Sequence, residues 1–383
     1  MLVGLDASRA LRNQATGTEY YSCSVIQQIM QQAPQHEYRL YSRPALSAYF
    51  DLPHQRVDIT SRRLWTHLGL SGELRKNPPD VLFIPAHTLP IPIALDPPKR
   101  NGKAMRSLVT IHDVGYRHFP KAHPWRQRLY LEFSTWLSAR FASHLIVDSI
   151  ATRDDVARFY GVPLPKMTVA YPGSMPLANV SEGDITQTHA KWHIDRPYVL
   201  YVGTLQPRKN IARLIAAWQK VSEQWANAAN KPTHLASKPL LILAGKAGWG
   251  RMDIAAQIAQ HQVAQDVLVT GYISELEKSA LMRGAQAFAF PSLYEGFGFP
   301  VLEAQSVGVP VVCSDTSSLP EVVGDSALNV DALSVEAIAH GLWHALTDLS
   351  TRARLHEAGL RNVRRFDWQT CARQILGVIK GEC

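Results

Sequence analysis

The chain has 383 residues, room for two domains of about 150 residues each, and its 46% hydrophobic and 19% charged content with scattered Gly and Pro is that of a folded globular protein, which excludes disorder and collagen-like repeats. The formal net charge of +8 is uneven: residues 1 to 190 hold 21 Lys+Arg against 15 Asp+Glu, net +6, leaving net +2 for residues 191 to 383. A positive half suits nucleic acid, anionic lipid or a phosphorylated substrate, and equally well plain solubility.

Short β-rich apolar runs alternate with longer helical patterns, the grammar of parallel sheets flanked by helices. In the first half the expected strands are Leu2 to Leu5, Val81 to Ile84, Leu108 to Ile111, His144 to Val147 and Thr168 to Tyr171. Between them Leu129, Phe133, Trp136 and Leu137 recur at helical spacing, and Thr152 to Phe159 reads as a short helix. Together they predict one doubly wound domain over residues 1–180. Met1-Leu-Val-Gly-Leu-Asp6 enters the first strand without the basic start and apolar stretch of a signal peptide. No window reaches the roughly 18 to 20 apolar residues that cross a bilayer as a helix. Cys23, Cys313, Cys371 and Cys383 form no C-x-x-C pair, so free thiols, no metal site and a cytoplasmic location are the expectation.

After Tyr171-Pro-Gly173 the pattern lapses into the polar stretch Ser181 to Thr188, read as the region of the domain boundary. Tyr198 to Val202 restarts the same grammar, and strands at Leu240 to Leu243, Val267 to Thr270, Ala287 to Phe290 and Val309 to Cys313 predict a second α/β domain over residues 190–365. Nothing repeats at a short period, which argues against solenoids and propellers.

Open α/β sheets bind ligands at the carboxyl ends of their strands, and several loops fall there. Arg208 and Lys209, between the strand ending at Val202 and a helix carrying Ile211, Leu214, Ile215 and Trp218, offer a guanidinium fork and a mobile ammonium suited to a diphosphate. The plainer alternative is a solvated pair of loop cations. In Ala287 to Glu303, Pro300 suits a first helical turn and Gly308 its end, so the amides around Gly296 to Phe299 should form an anion site at a helix start. Glu295 then falls in the loop and Glu303 in the first turns, where both carboxylates could face one cleft or be simple surface charges. Gly17 opens a helix after the first strand and could let amides approach a phosphate or sugar, although a loop glycine usually serves only its turn. His112 and Asp113 follow the strand Leu108 to Ile111 on the ligand edge.

Absences narrow the class. There is no G-x-G-x-x-G after the first strand and no P-loop, and Gly245-Lys-Ala-Gly-Trp-Gly250 has the wrong spacing. No Asp-x-Asp occurs to hold a divalent cation, so a diphosphate leaving group would rely on Arg, Lys and helix amides.

Arg208-Lys209 after a Tyr-Val-Gly strand, Glu295 and Glu303 within Pro-Ser-Leu-Tyr-Glu-Gly-Phe-Gly-Phe-Pro, and Leu319-Pro-Glu-Val-Val-Gly324 together resemble the retaining GT-B glycosyltransferases of family four, group 1. Gly4-Leu-Asp-Ala-Ser8 with Gly17, Ile111-His-Asp113 and Phe366-Asp-Trp368 extend the resemblance over the whole chain. It implies two Rossmann-like doubly wound domains about a central cleft, with a final helix over residues 366–383 returning to the first domain. A nucleotide-diphosphate sugar would bind the second domain and the acceptor would enter from the first. By the same resemblance Arg208 and Lys209 hold the diphosphate, Glu303 the ribose, and Glu295 the donor sugar hydroxyls. Gly298 and Phe299 would offer amides, while Gly17, Gly203, Gly245 and Tyr272 would approach the donor. His112 would lie by the reacting sugar and shield its oxocarbenium-like form. Gly17-Thr-Glu-Tyr20 departs from the family's Gly-x-Gly or Gly-x-x-Arg loop.

The expectation is therefore a metal-independent, retaining hexosyltransferase with no cofactor beyond its donor, most like bacterial polysaccharide mannosyltransferases. Its donor would be GDP-mannose, with UDP-glucose close behind, and its acceptor a glycan or lipid-linked glycan. Nucleic acid is not among the expected partners. A nucleotide-sugar epimerase and a non-catalytic sugar-nucleotide binder are the competing readings. Lys99, Arg100, Lys103, Arg106, Lys121, Arg126 and Arg128, interleaved with Tyr116, Phe119 and Trp125, further suggest peripheral contact with the anionic inner face of the plasma membrane, or merely a basic surface.

Overall fold

Apolar runs without alternation belong in strands covered on both faces, and Leu2–Asp6, Val81–Ile84, Leu240–Ala244 and Ala287–Phe290 are each buried along their length. The computed structural model describes residues 1–383 apart from 11–16, 45–49, 51, 62–63, 87, 121–123, 229–231, 233, 236, 249–252 and 383. The first half runs β1 (Leu2–Asp6), α1 (Gly17–Gln32), β2 (Glu37–Ser42), β3 (Gln55–Asp58), α2 (Ser71–Lys76), β4 (Val81–Ile84), α3 (Ile91–Leu95), β5 (Lys99–Arg100), β6 (Lys103–Ala104), β7 (Arg106–Ile111), α4 (Gly115–His118), α5 (Trp125–Phe141), β8 (His144–Val147), α6 (Ile150–Tyr160) and β9 (Met167–Val169). The second runs α7 (Glu182–Lys191), β10 (Tyr198–Val202), α8 (Ile211–Asn227), β11 (Leu240–Ala244), α9 (Ile254–Gln260), β12 (Val267–Gly271), α10 (Glu275–Gly284), β13 (Ala287–Phe290), α11 (Phe299–Ser306), β14 (Val311–Ser314), α12 (Leu319–Val323), β15 (Leu328–Val330), α13 (Val335–Thr347), α14 (Leu349–Val363) and α15 (Trp368–Lys380).

The chain divides into two units, Met1–Arg117 with Pro124–Gly173 and Phe366–Cys383, and His118–His123 with Ser174–Arg365. In the first, seven strands pair in parallel in the order β3-β2-β1-β4-β7-β8-β9, so chain order reverses between β1 and β4. α15 joins this unit: Cys371, Ala372, Ile375 and Ile379 share one core with Ile26 and Ile29 of α1 and Val3 and Leu5 of β1. Asp367 caps α15 by accepting from the Thr370 amide at 3.0 Å. At its other end Arg106 donates to the carbonyls of Val378 and Ile379, at 2.6 and 3.0 Å. Gly173 is needed where this return passes, since a Cβ there would lie 2.4 Å from the Trp368 ring.

In the second unit six parallel strands follow β12-β11-β10-β13-β14-β15, with the reversal between β10 and β13. α8 buries Leu214, Ile215, Trp218 and Val221, and the Trp218 indole donates to the Asp266 carbonyl at 2.9 Å.

Several expectations need correction. β2, β3 and β15 were not anticipated, and β9 covers Met167–Val169 rather than Thr168 to Tyr171. The chain passes from the first unit to the second at Gly173/Ser174. The polar stretch from Ser181 is a helix, nucleated by a capping box in which Ser181 and Asp184 satisfy each other's backbone amides. Among the described residues Cys23, Cys313 and Cys371 are buried free thiols, and no helix is long and apolar enough to cross a membrane.

Candidate functional site

Strand order reverses between β10 and β13, and the carboxyl ends beside such a reversal are where doubly wound sheets take ligands. Two loops meet there. After β10 a short 3₁₀ turn over Pro207–Lys209 ends at Asn210, whose positive φ of 63° starts α8. The Asn210 amide group donates to the carbonyls of Pro291 and Ala332 at 3.0 and 2.6 Å, and the Leu293 amide donates to the Arg208 carbonyl at 2.9 Å. The loop after β13 is thereby tied to the turn that carries both cations.

Lys209 Nζ donates to Glu295 Oε1 at 2.6 Å, while Arg208 Nη1 donates to the Tyr294 carbonyl at 2.5 Å and reaches Glu295 Oε2 at 3.4 Å. Lys209 also lies 5.0 Å over the Phe290 ring. Glu295 is buried. Burial alone would raise its pKa, but Lys209 and then Arg208 outweigh it and hold the carboxyl below its ordinary value. Its backbone is fixed too: the Glu295 amide donates to Ser317 Oγ at 2.9 Å, and Ser318 Oγ donates to the carbonyls of Glu295 and Phe297 at 3.0 and 2.7 Å. The sequence brought Arg208, Lys209 and Glu295 forward and the fold joins them; Asn210, Ser317 and Ser318, which hold them, were not singled out.

Glu303 belongs to a separate pair. α11 begins at Phe299 with Pro300 in its first turn, and Gly298 before it has a φ of 121° that favours glycine. One turn further on, Glu303 is buried and accepts from Lys278 Nζ of α10 at 2.8 Å. Burial raises the Glu303 pKa, partly offset by Lys278. The two carboxylates thus have different cationic partners, and Lys278 had no signal in the sequence beyond an ordinary helical i,i+3 pairing with Glu275.

At the ends of the next strands Gly203, Gly245 and Gly271 lie side by side: the Gly203 amide donates to the Ala244 carbonyl at 3.0 Å and the Gly245 amide to the Gly271 carbonyl at 2.8 Å. A Cβ on Gly245 would lie 2.0 Å from the Gly203 carbonyl oxygen, so close backbone approach requires this glycine whatever ligand it meets. Tyr272 is exposed beside this row, with the Lys246 ammonium 4.3 Å from its ring centroid.

In the first unit His112 follows β7. Its Nδ1 is 2.6 Å from Asp148 Oδ2 at the end of β8, and its Nε2 is 2.9 Å from the Pro85 carbonyl after β4. Both ring nitrogens face acceptors, the arrangement an imidazolium satisfies. Burial opposes the charge, yet Asp148 and the Pro85 carbonyl prevail and the His112 pKa is raised. The Tyr21 ring meets His112 edge-on at 4.8 Å. Asp148 was missed, although it ends a strand on the same edge that drew attention to His112. Gly17 is the first residue of α1, and residues 11–16 of the loop before it lie outside the described residues. Among the described residues no three His, Cys, Asp or Glu side chains converge as a metal group.

Residues 26–174 match the family described as Glycosyltransferase Family 4, and residues 184–361 the family described as Glycosyl transferases group 1. O-antigen chain mannosyltransferase B of Escherichia coli is 32% identical over 278 residues, which is 72% of this chain and 70% of that protein. O-antigen chain mannosyltransferase RfbU of Salmonella typhimurium is 27% identical over 58% of this chain and 56% of its own length. Among solved structures, Anabaena HepE in complex with UDP-glucose matches over 99% of both chains with a TM-score of 0.70 at 18% identity, a likeness of fold.

Proposed function

The chain belongs to the glycosyl transferases group 1 family and has the GT-B fold, and from that premise we propose that it transfers mannose from GDP-mannose to a glycan or lipid-linked acceptor in cell-surface polysaccharide synthesis. The observation that carries this reading is the cluster of partly buried Arg208 and Lys209 on buried Glu295 beside the ends of β10 and β13, two cations for a departing diphosphate beside one carboxylate for sugar hydroxyls. Mannose is favoured over glucose because O-antigen chain mannosyltransferase B and RfbU, the two relatives given above, are both named as mannosyltransferases.

In this reading Arg208 and Lys209 neutralise the leaving diphosphate without a metal ion. A diphosphate oxygen takes the acceptor's proton as the acceptor oxygen bonds to the anomeric carbon on the face from which the phosphate departs, so configuration is retained. The alternative route to retention is a carboxylate nucleophile, but a Glu295 held at low pKa by two cations is weakly basic and suits hydrogen bonding to the sugar. Glu303 takes the ribose, and Gly203, Gly245, Tyr272, Gly298 and Phe299 contact the donor. Gly17 keeps its expected approach to the donor. With one N–H held by Asp148 and the other by the Pro85 carbonyl, His112 would donate to a sugar hydroxyl only by giving up the Pro85 contact. Peripheral contact with an anionic membrane surface, where a lipid-linked acceptor would be met, is part of the same reading.

The test offers GDP-mannose and UDP-glucose with and without a glycan acceptor and follows nucleotide release and product anomer. Acceptor-dependent GDP release with retained configuration is expected, unaffected by EDTA and lowered about 10² to 10³ in turnover by Arg208→Ala or Lys209→Ala. Full activity in both variants, an inverted product or a glycosyl adduct on Glu295 would overturn the assignment.

A further inference from the structure

Helix α5 is turned inside out for a helix on a water-soluble surface. Trp125 is 66% exposed, Leu129 54%, Phe133 44% and Trp136 45%. At about 100° per residue these four fall within a sector of roughly 80°. The side facing the protein carries Ser134, Thr135, Ser138 and Ala139, all buried together with Leu137. The ordinary arrangement puts the apolar stripe inward and the small polar residues outward. The exposed rings form one patch, with Phe133 and Trp136 6.0 Å apart and Trp136 and Phe141 6.0 Å apart between centroids.

The charges that the helix itself carries are mostly positive. Arg126 stacks over Trp125 at 5.2 Å and Arg140 over Phe141 at 5.7 Å, and Arg128 is exposed beside them. Glu132 is the one acid on the helix, and it is already paired with Arg117. Of the other cations expected at a membrane, Arg106 is committed to the end of α15 and Arg100 pairs with Asp80 at 3.3 Å, while Lys121 lies outside the described residues.

We propose that the outer face of α5 is a membrane-docking surface whose partner is an anionic phospholipid bilayer, the rings entering the interfacial region and the arginines meeting headgroup phosphates. Aromatic side chains favour that interface, and arginine stems extend so that the guanidinium stays with the headgroups. A second copy of this face is disfavoured, because its arginines would meet their own like charges.

The inference rests on the membrane contact proposed above and is tested without turnover, so its failure and failure of the transferase reading are distinguishable. The full chain is sedimented with vesicles of phosphatidylcholine alone or with one third phosphatidylglycerol, at low and high salt, beside Trp125→Ser/Trp136→Ser. Circular dichroism checks the fold of each variant and light scattering its mass. The expected result is binding to the anionic vesicles with a blue shift of tryptophan emission, weakened about tenfold or more in the double variant and roughly fivefold by Arg126→Gln or Arg128→Gln. No binding to anionic vesicles at low salt, undiminished binding by the folded double variant, or a dimer that the double variant dissolves would overturn it.

Discussion

Glu295→Gln separates binding of the leaving group from its use. The Glu295 carboxylate engages both cations, with Lys209 Nζ at 2.6 Å and Arg208 Nη1 at 3.4 Å. On the proposed reading an incoming diphosphate competes with it. At 2.6 Å the Lys209 pair has a Coulomb energy of about 6 kcal/mol at an effective dielectric of about 20. Desolvation of the two ions offsets several kcal/mol of that, leaving about 1.5 to 3 kcal/mol for a charge-assisted hydrogen bond. Glutamine keeps the size and one acceptor oxygen but removes the competing charge. Free GDP should therefore bind the variant about tenfold more tightly, as 1.4 kcal/mol is a factor of ten. Turnover should fall by about 10² because the sugar loses its proposed carboxylate partner, and the melting temperature should fall because two partly buried cations lose their counter-charge. Calorimetric titration with GDP, thermal unfolding and initial rates read the three effects. GDP affinity that drops or stays level in folded Glu295→Gln would refute the competition.

The His112–Asp148 pair predicts a pH dependence of stability. His112 has a raised folded pKa, so its contribution is fully present below the ordinary histidine value of about 6.5 and is lost as pH rises through the raised value. Asp148→Asn leaves burial as the dominant influence, and burial favours the neutral ring, so the decline in melting temperature above neutral pH should be shallower in the variant; identical pH profiles would argue that Asp148 does not set the charge of His112. Gly245→Ala should cost about 2 to 5 kcal/mol from overpacking and strain, since its Cβ would lie 2.0 Å from the Gly203 carbonyl oxygen. Gly271→Ala is the control, with a φ of 69° but open space around its Cβ, and should cost only about 1 to 2 kcal/mol; equal losses in denaturant unfolding would show that the clash is relieved.

What could be read from the sequence followed burial. Central strands such as Leu240–Ala244 and Ala287–Phe290 are covered on both faces and betray themselves as apolar runs, whereas β3 (Gln55–Asp58) is an exposed edge strand whose pairing with β2 is all that defines it. The site divides in the same way. Arg208, Lys209 and Glu295 were legible because each lies beside a strand end whose position the apolar runs fix, and strand order then brings those ends together at the β10/β13 reversal. Lys278 was illegible because it reaches Glu303 from a neighbouring helix, a contact that depends on packing between α10 and α11 and leaves no mark on the spacing around either residue. α5 shows the limit of periodicity itself. Leu129, Phe133 and Trp136 announce a helix correctly, but a period says only that one face is apolar, not which way it looks. That its apolar face looks outward is visible only once Ser134, Thr135 and Ser138 are found on the buried side, and this reversal is what sets exposed rings beside Arg126 and Arg140 on one face.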